Sequence, residues 1–397
     1  MTRPTPRWQS PIAVIAFTVF LDLVGFGIVI PILPLYAQHF GASPLTIGWL
    51  VGIYSAMQFL AAPILGRISD RVGRRPVLLL SIIGTAAGFL VMGLANTLWV
   101  LFAARIIDGI TGGNISTAQA YIADITPPEQ RSRAMGIIGA AFGIGFIIGP
   151  AIGGLLSHIS IGAPFLFAAA LASVNAVAVF FILPESLSIE LRGRPAPARA
   201  GLQALLRGPE HAAMRRILAI HFFVVVAFSM LTATYPLFAA RHFGFGAPGI
   251  GAIFACIGLV AALVQGVLLG WLLKHASEQR LILAGVALLA VGFFWLPMTV
   301  THAALMGATA AIAVGHGLLA APLNGLGSRQ ASAAGQGQVL GVMQSTASLA
   351  RLVGPVAGGW LLQHDALQAV VVYGRTPYWA GAAILTCALV VAAAGRL

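Results

Sequence analysis

The chain alternates between long apolar runs and short polar breaks. Twelve runs predict helices, over residues 11–36, 44–66, 77–95, 98–122, 134–157, 163–183, 216–240, 248–273, 281–300, 303–326, 338–363 and 376–395. Most match the roughly 20 apolar residues needed to span a bilayer core. The expected fold class is therefore an all-α membrane protein with 12 transmembrane helices. Connections are short except for one, Pro184 to Arg215, which contains Arg192, Gly193, Arg194, Pro195, Pro197 and Arg199. It reads as a flexible basic linker, 184–215, between six-helix bundles at 1–183 and 216–397.

The polar breaks are charged unevenly. With the N-terminus placed in the cytoplasm, 18 of the 22 basic residues face inward. Arg241 and Arg375 face outward, and Arg105 and Arg351 remain inside helices. Under the positive-inside rule, both termini are cytoplasmic and the helix count is even. The first run begins after Arg3 and Arg7 and is too long for a signal-peptide core, so it reads as a retained helix.

Composition narrows the class further. Of 397 residues 59% are hydrophobic and 8% charged, against about 25% charged in soluble proteins. That excludes a soluble enzyme, a disordered chain and a nucleic-acid-binding domain. The net charge of +12 fits loops lying beside anionic membrane lipid, not a nucleic-acid partner. Cys256 and Cys387 sit in apolar runs with no metal-ligand spacing.

The halves repeat. Pro34-Leu35-Tyr36-Ala37 recurs as Pro236-Leu237-Phe238-Ala239, and His39-Phe40-Gly41 as His242-Phe243-Gly244. Gly149-Pro150 and Gly153-Gly154 recur as Gly354-Pro355 and Gly358-Gly359. An ordered series at nearly constant offset indicates duplication, and two parallel six-helix repeats place a substrate site at their interface.

Four features carry candidate mechanism. The break after the second run reads Gly66-Arg67-Ile68-Ser69-Asp70-Arg71-Val72-Gly73-Arg74-Arg75-Pro76. Gly66 is expected to end the second helix and admit a neighbour. Asp70 can face a helix N-terminus, and Arg71, Arg74 and Arg75 can pair with carboxylates such as Asp124. In the fifth run, Gly145, Gly149 and Gly153 recur every four residues, beside Pro150 and Gly154. Small residues at that spacing let helices approach closely in lipid.

Asp22 lies eleven residues past Pro11, about 16 Å along a helix. Ionisable residues at such depth are functional candidates by default. A proton or a cation, most plausibly Arg105, could neutralise it. In the fourth run Arg105, Asp108, Gly112, Ser116 and Gln119 fall on one helical face, and Gln344, Ser348 and Arg351 do so in the eleventh. The four deep charges, Asp22, Asp108, Arg105 and Arg351, sum to zero. Candidate pocket groups are Phe26, Tyr54, Gln58, Gln265, His316 and Asn324, with aromatic walls from Phe142, Phe146, Phe222, Phe228, Tyr235 and Phe254.

The loop from Gly66 to Pro76 resembles the signature loop of the major facilitator superfamily, and the Gly145–Gly154 run resembles the motif of its antiporter branches. Through Leu21–Pro34, Tyr54–Leu80, Arg105–Gly113, Ile122–Asp124, Gly139–Gly154, Gln265–Trp271 and Ser328–Pro355, the chain is similar to the tetracycline-resistance efflux antiporters. That resemblance implies the major-facilitator fold in a bacterial inner membrane and proton-coupled export of a drug-like molecule by alternating access. It implies a cytoplasmic latch from Asp70, Arg74 and Asp124, with Gly66 and Arg71 in the same gate. It implies proton coupling through Asp22 and Arg105, with Asp108 beside them. It also implies no cofactor beyond the proton gradient, no bound metal and a monomer. A carrier for a small metabolite is the alternative.

Two departures bear on substrate. The family carries intramembrane acids where this chain has Gly88 and, by position, Leu289. Arg351 adds a base. Weaker attraction for a cationic metal–drug complex is expected, with a neutral, zwitterionic, anionic or broad substrate range in its place.

Overall fold

The computed structural model describes residues 11–126, 131–188, 190, 192, 212–329, 336–367 and 373–395, without the side chains of 131–140, 142, 328, 329, 336–338 and 340. Helix occupies each of the twelve predicted runs. We number the helices α1 (Pro11–His39), α2 (Pro44–Val72), α3 (Arg74–Gly93), α4 (Leu98–Thr111), α5 (Asn114–Ile125), α6 (Arg131–Leu156) and α7 (Ala163–Ile182). The remainder are α8 (Ala212–Phe243), α9 (Ala247–Leu263), α10 (Leu269–Leu272), α11 (Glu278–Trp295), α12 (His302–Arg329), α13 (Gln336–Leu367) and α14 (Arg375–Ala393). A π-helical turn, Val264–Leu268, joins α9 to α10. Among the described residues ten helical segments are long and apolar enough to cross a membrane, counting α4 with α5 and α9 with α10. There is no strand among them.

Two boundaries differ from expectation for physical reasons. The second helix does not end at Gly66. It runs on to Val72, and nothing among the described atoms approaches a Cβ built on Gly66. The stop comes at Gly73, whose φ of 117° lies in the left-handed region that favours glycine. The fourth predicted helix is broken at Gly112–Gly113, where hydrogen bonds tighten to Gly112 N–Gly109 O (3.2 Å) and Gly113 N–Thr111 O (2.7 Å).

The chain forms two compact units, Met1–Gly41 with Ile53–Pro195 and Gly246–Ala255, and Ala42–Gly52 with Ala196–Phe245 and Cys256–Leu397. In the first, α1 packs on α6 and α7, and α3 packs on α4 and α7. In the second, α8 packs on α13 and α14, and α11 packs on α12 and α14. These are the same pairings, one repeat on.

The duplication extends to single contacts. A Cβ on Gly149 would meet Val24 O and Gly27 Cα, and one on Gly153 would meet Ile28. In the other unit a Cβ on Gly354 would meet Val226 O and Ser229, and one on Gly358 would meet Met230. Each small residue lets two backbones approach, which supplies the packing that lipid cannot drive by itself. The core of the first unit gathers Ile15, Val19, Leu78, Ile82, Tyr121, Ile122 and Val179. Thr18 of this core donates to Asn175 Oδ1 at 3.0 Å.

Candidate proton-coupling site and cytoplasmic latch

Asp22 projects from α1, and Asn114 from the first turn of α5. The Asn114 Nδ2 amide donates to Asp22 Oδ2 at 2.6 Å. The helix break makes this contact, because α5 restarts at Asn114 in place of continuing the α4 register. The Gly112 carbonyl freed by the break accepts from Gln58 Nε2 at 2.8 Å. Gln58 also reaches the Tyr54 hydroxyl (3.2 Å).

The structure pairs Arg105 with Asp108, at 3.3 Å between Nη1 and Oδ2, and gives Asp22 an amide partner. The ion pair expected between Asp22 and Arg105 is thus replaced by a local pair one turn along α4. Both Arg105 and Asp108 are almost wholly buried. The Arg105 guanidinium lies 4.4 Å from the centre of the Tyr54 ring, a favourable cation–π placement. Thr85 of α3 hydrogen-bonds Asp108, whose charge also reaches Asp22. Phe26 stands 6.1 Å from Tyr54, ring centre to ring centre.

Ser116 and Gln119 are exposed, whereas Arg105 and Asp108 are buried. Asn114 is the residue the sequence reasoning passed over. Its signal was the Gly112-Gly113 pair, which interrupts a helix and opens a new first turn. At Gly88 a Cβ would sit 3.0 Å from Asp108 Cβ, so Asp108 fills the space beside that glycine. Leu289 is fully buried, packed against Gly315.

At the other end of this unit, Arg74 is bonded to Asp70 (2.5 Å) and Asp124 (3.0 Å). Ser69 accepts from Arg74 Nη1, and Ser186 donates to Asp124. Asp70 does not cap α3. Glu185, missed in the sequence, does so by accepting from the backbone N–H groups of Arg74 (2.8 Å) and Arg75 (3.2 Å). Arg71 is exposed, and Arg75 instead donates to the Phe180 carbonyl. Losing a cap costs about 1 kcal/mol. Glu185→Ala should therefore lower the thermal midpoint of the purified protein, and Glu185→Gln should do so less.

The other expected pocket residues are scattered. Gly145 packs on Leu23, and Gly154 on Pro248 and Gly251. Pro150 is buried within α6. Phe146 and Phe222 are half-buried, and the Phe142 side chain lies outside the described residues. Tyr235 is fully buried with its hydroxyl on Thr309 (2.9 Å), so it packs α8 on α12. Phe254 is likewise a core residue. His316 stacks on Phe228 at 4.4 Å. Gln265, Asn324 and Gln344 are exposed, with Gln265 in the π turn. Ser348 is buried and accepts from Arg351 Nη2 at 3.2 Å.

Comparison with known proteins adds a family. The sequence model of the Major Facilitator Superfamily matches residues 15–355 and 217–395. The class C tetracycline resistance protein of Escherichia coli is 36% identical over 352 residues, 88% of each chain. Multidrug resistance protein 2 of Bacillus subtilis strain 168 is 32% identical over 86% of each chain. The crystal structure of the human organic anion transporter MFSD10 (TETRAN) superposes with a TM-score of 0.73 at 23% identity, covering 98% of this chain and all of that one.

Proposed function

The chain belongs to the Major Facilitator Superfamily, and from that premise we propose that it exports drug-like molecules across a bacterial inner membrane in exchange for protons. It is an integral membrane transporter, not an enzyme. The proton gradient supplies the work, with no cofactor, and the protein acts as a monomer with both termini in the cytoplasm. Residues 1–183 and 216–397 are the two bodies that alternate access, joined by the linker 184–215. The relatives named for tetracycline and multidrug resistance support drugs as the cargo.

The contact between Asp22 and Asn114 at 2.6 Å carries the coupling. An ionised Asp22 accepts from the amide. A protonated Asp22 has an O–H that needs an acceptor, and Asn114 Oδ1 is buried without a hydrogen-bond partner. Turning the amide over serves the second state as well as the first. The Arg105–Asp108 pair lies in the same buried cluster and senses the change in charge. Protons entering from outside load Asp22 and favour drug release.

The test is proton release from everted vesicles with an acidified lumen, followed by a pH-sensitive dye as a drug panel is added. Drug-evoked release that a protonophore abolishes is expected. If no drug evokes release but a small metabolite does, the efflux reading fails.

Asn114 acts through Asp22 as a positioning residue. Hydrogen bonds to charged groups contribute about 1.5–3 kcal/mol. Asn114→Ala should therefore move the pH profile of efflux in wild type. It should have no further effect in Asp22→Asn, because coupled sites are not additive.

The Asp70–Arg74–Asp124 cluster closes the cytoplasmic side in the outward-open state. Arg74→Gln should slow efflux severalfold while substrate binding persists. The exposed Arg71→Gln should stay within about twofold of wild type, as most solvated surface charges do.

A further inference from the structure

The first unit carries an apolar groove that neither the coupling site nor the latch uses. It lies between α3 and α7, with a volume of about 330 Å³. Leu79, Ile83 and Ala86 line it from α3, and Ala176, Val177 and Phe180 from α7. On each helix these positions fall on one face. The helices meet at both ends of the groove. A Cβ on Gly162, just ahead of α7, would lie 2.5 Å from Gly93 O, and at the latch end Arg75 donates to the Phe180 carbonyl. Between those contacts the small Ala86 and Ala176 leave a trough. Ile83, Val177, Phe180 and Phe181 are each at least half exposed along it. Both helices are long and apolar enough to cross a membrane, so such a surface suits acyl chains. Ser173 alone is polar among the described lining residues, and its hydroxyl is already bonded to Ala169 O at 2.8 Å.

A cation stands at the mouth of this trough. Arg75 is the second residue of α3, and Phe180 the third from the end of α7, so both stand where a span meets the headgroup region. The Arg75 guanidinium lies 5.6 Å from the centre of the Phe180 ring, which itself lines the groove. Its Nε is buried without a hydrogen-bond partner among the described residues. Arg74 next to it is held by Asp70 and Asp124. Among the described residues no carboxylate forms an ion pair with the Arg75 side chain. From Arg75 to Ala86 is eleven residues, about 16 Å of helix. A charge at headgroup level and an apolar trough running down from it match the two parts of an anionic phospholipid.

We propose that this groove holds one anionic phospholipid, with an acyl chain along α3 and α7 and its phosphate on the Arg75 guanidinium. A guanidinium has five N–H donors in a planar fork that fits phosphate, and the Phe180 carbonyl takes one of them. The acyl chain covers Ile83, Val177 and Phe181. The binding does not depend on what the protein transports.

The test is native mass spectrometry of the purified full-length protein, titrated with dioleoyl phosphatidylglycerol or dioleoyl phosphatidylcholine. The acyl chains are the same, and the net charge of the headgroup differs. Wild type is expected to bind its first phosphatidylglycerol about fivefold more tightly than its first phosphatidylcholine, the scale of one basic residue beside anionic lipid. Arg75→Gln should bring the two lipids close to equality, and Arg75→Lys should keep part of the preference. Ser173→Phe fills the groove and leaves the cation in place, so it should weaken both lipids severalfold. That variant keeps the test decisive if Arg75→Gln fails to fold. Arg67→Gln should retain the wild-type preference, because the exposed Arg67 only returns to its own helix at Pro63 O (3.2 Å). Equal binding of the two lipids by wild type, a preference that survives Arg75→Gln, or one lost equally in Arg67→Gln overturns the site. So does unchanged binding of both lipids in Ser173→Phe, or a dimer mass in place of lipid adducts, which would make the groove an interface between copies of the chain.

Discussion

Asp22→Asn is expected to abolish uphill efflux while leaving the protein folded and able to exchange drug down a gradient. The substitution keeps the size of the side chain and its contact with Asn114, which now meets an amide oxygen in place of a carboxylate. It removes the group that takes up and returns the proton. A positioned proton carrier is worth roughly 100-fold or more in rate, so the loss should far exceed any effect on stability. The decisive measurement pairs two assays in proteoliposomes: drug-evoked proton movement and drug–drug counterflow. Loss of the first with retention of the second supports coupling at Asp22. Coupled proton movement at wild-type rates in Asp22→Asn would transfer the role to Asp108. Asp108→Asn should behave differently in any case, because it strips Arg105 of a buried partner 3.3 Å away. Breaking such a pair costs several kcal/mol. That variant should therefore lose folded protein as well as transport.

The second large effect is expected at the crossing of α1 and α6. A Cβ on Gly149 would fall 2.8 Å from Gly27 Cα and closer still to Val24 O. Both obstacles are backbone, so neither can rotate away. Gly149→Val must push the helices apart, and overpacking of this kind costs about 1–3 kcal/mol or more. In a membrane protein, whose helices are held by van der Waals contact, that loss comes directly from the interaction that assembles the unit. The thermal midpoint in detergent should drop by several degrees, and the yield of monodisperse protein should fall with it. Gly143→Val, six residues earlier in the same helix, serves as the control, since a Cβ there meets nothing among the described atoms within 4 Å. The repeat predicts that Gly354→Val will act as Gly149→Val does, because its Cβ would strike Val226 O and Ser229. Similar loss at Gly143 and Gly149 would mean that helix propensity, and not the crossing, explains the effect.

Much of this was legible along the chain. Lipid leaves few choices, so length and apolarity alone locate most helices. The nearly constant offset that relates Gly149-Pro150 to Gly354-Pro355 announces the duplication, and the contacts at Val24 and Val226 repeat with it. Asp70, Arg74 and Asp124 come together because the turn at Gly73 and the end of α5 place them at one end of the unit.

What the linear order could not settle was partnership. Opposite charge at membrane depth paired Asp22 with Arg105, and helical periodicity extended a polar stripe to Ser116 and Gln119. The onset of the charged break gave Gly66 the task of ending a helix. The Gly112–Gly113 break changes the register of α5, so Asn114 and not Arg105 meets Asp22. Glu185 reaches back across 111 positions to cap α3. Gly354 and Gly358 meet Val226 and Met230, more than a hundred positions away by number, only because α8 and α13 lie together. The physical reason is one of range. Burial in lipid acts on each segment separately and is written in its composition. Hydrogen bonds and ion pairs require atoms about 3 Å apart, and only the packing of helices distant in sequence decides which atoms those are.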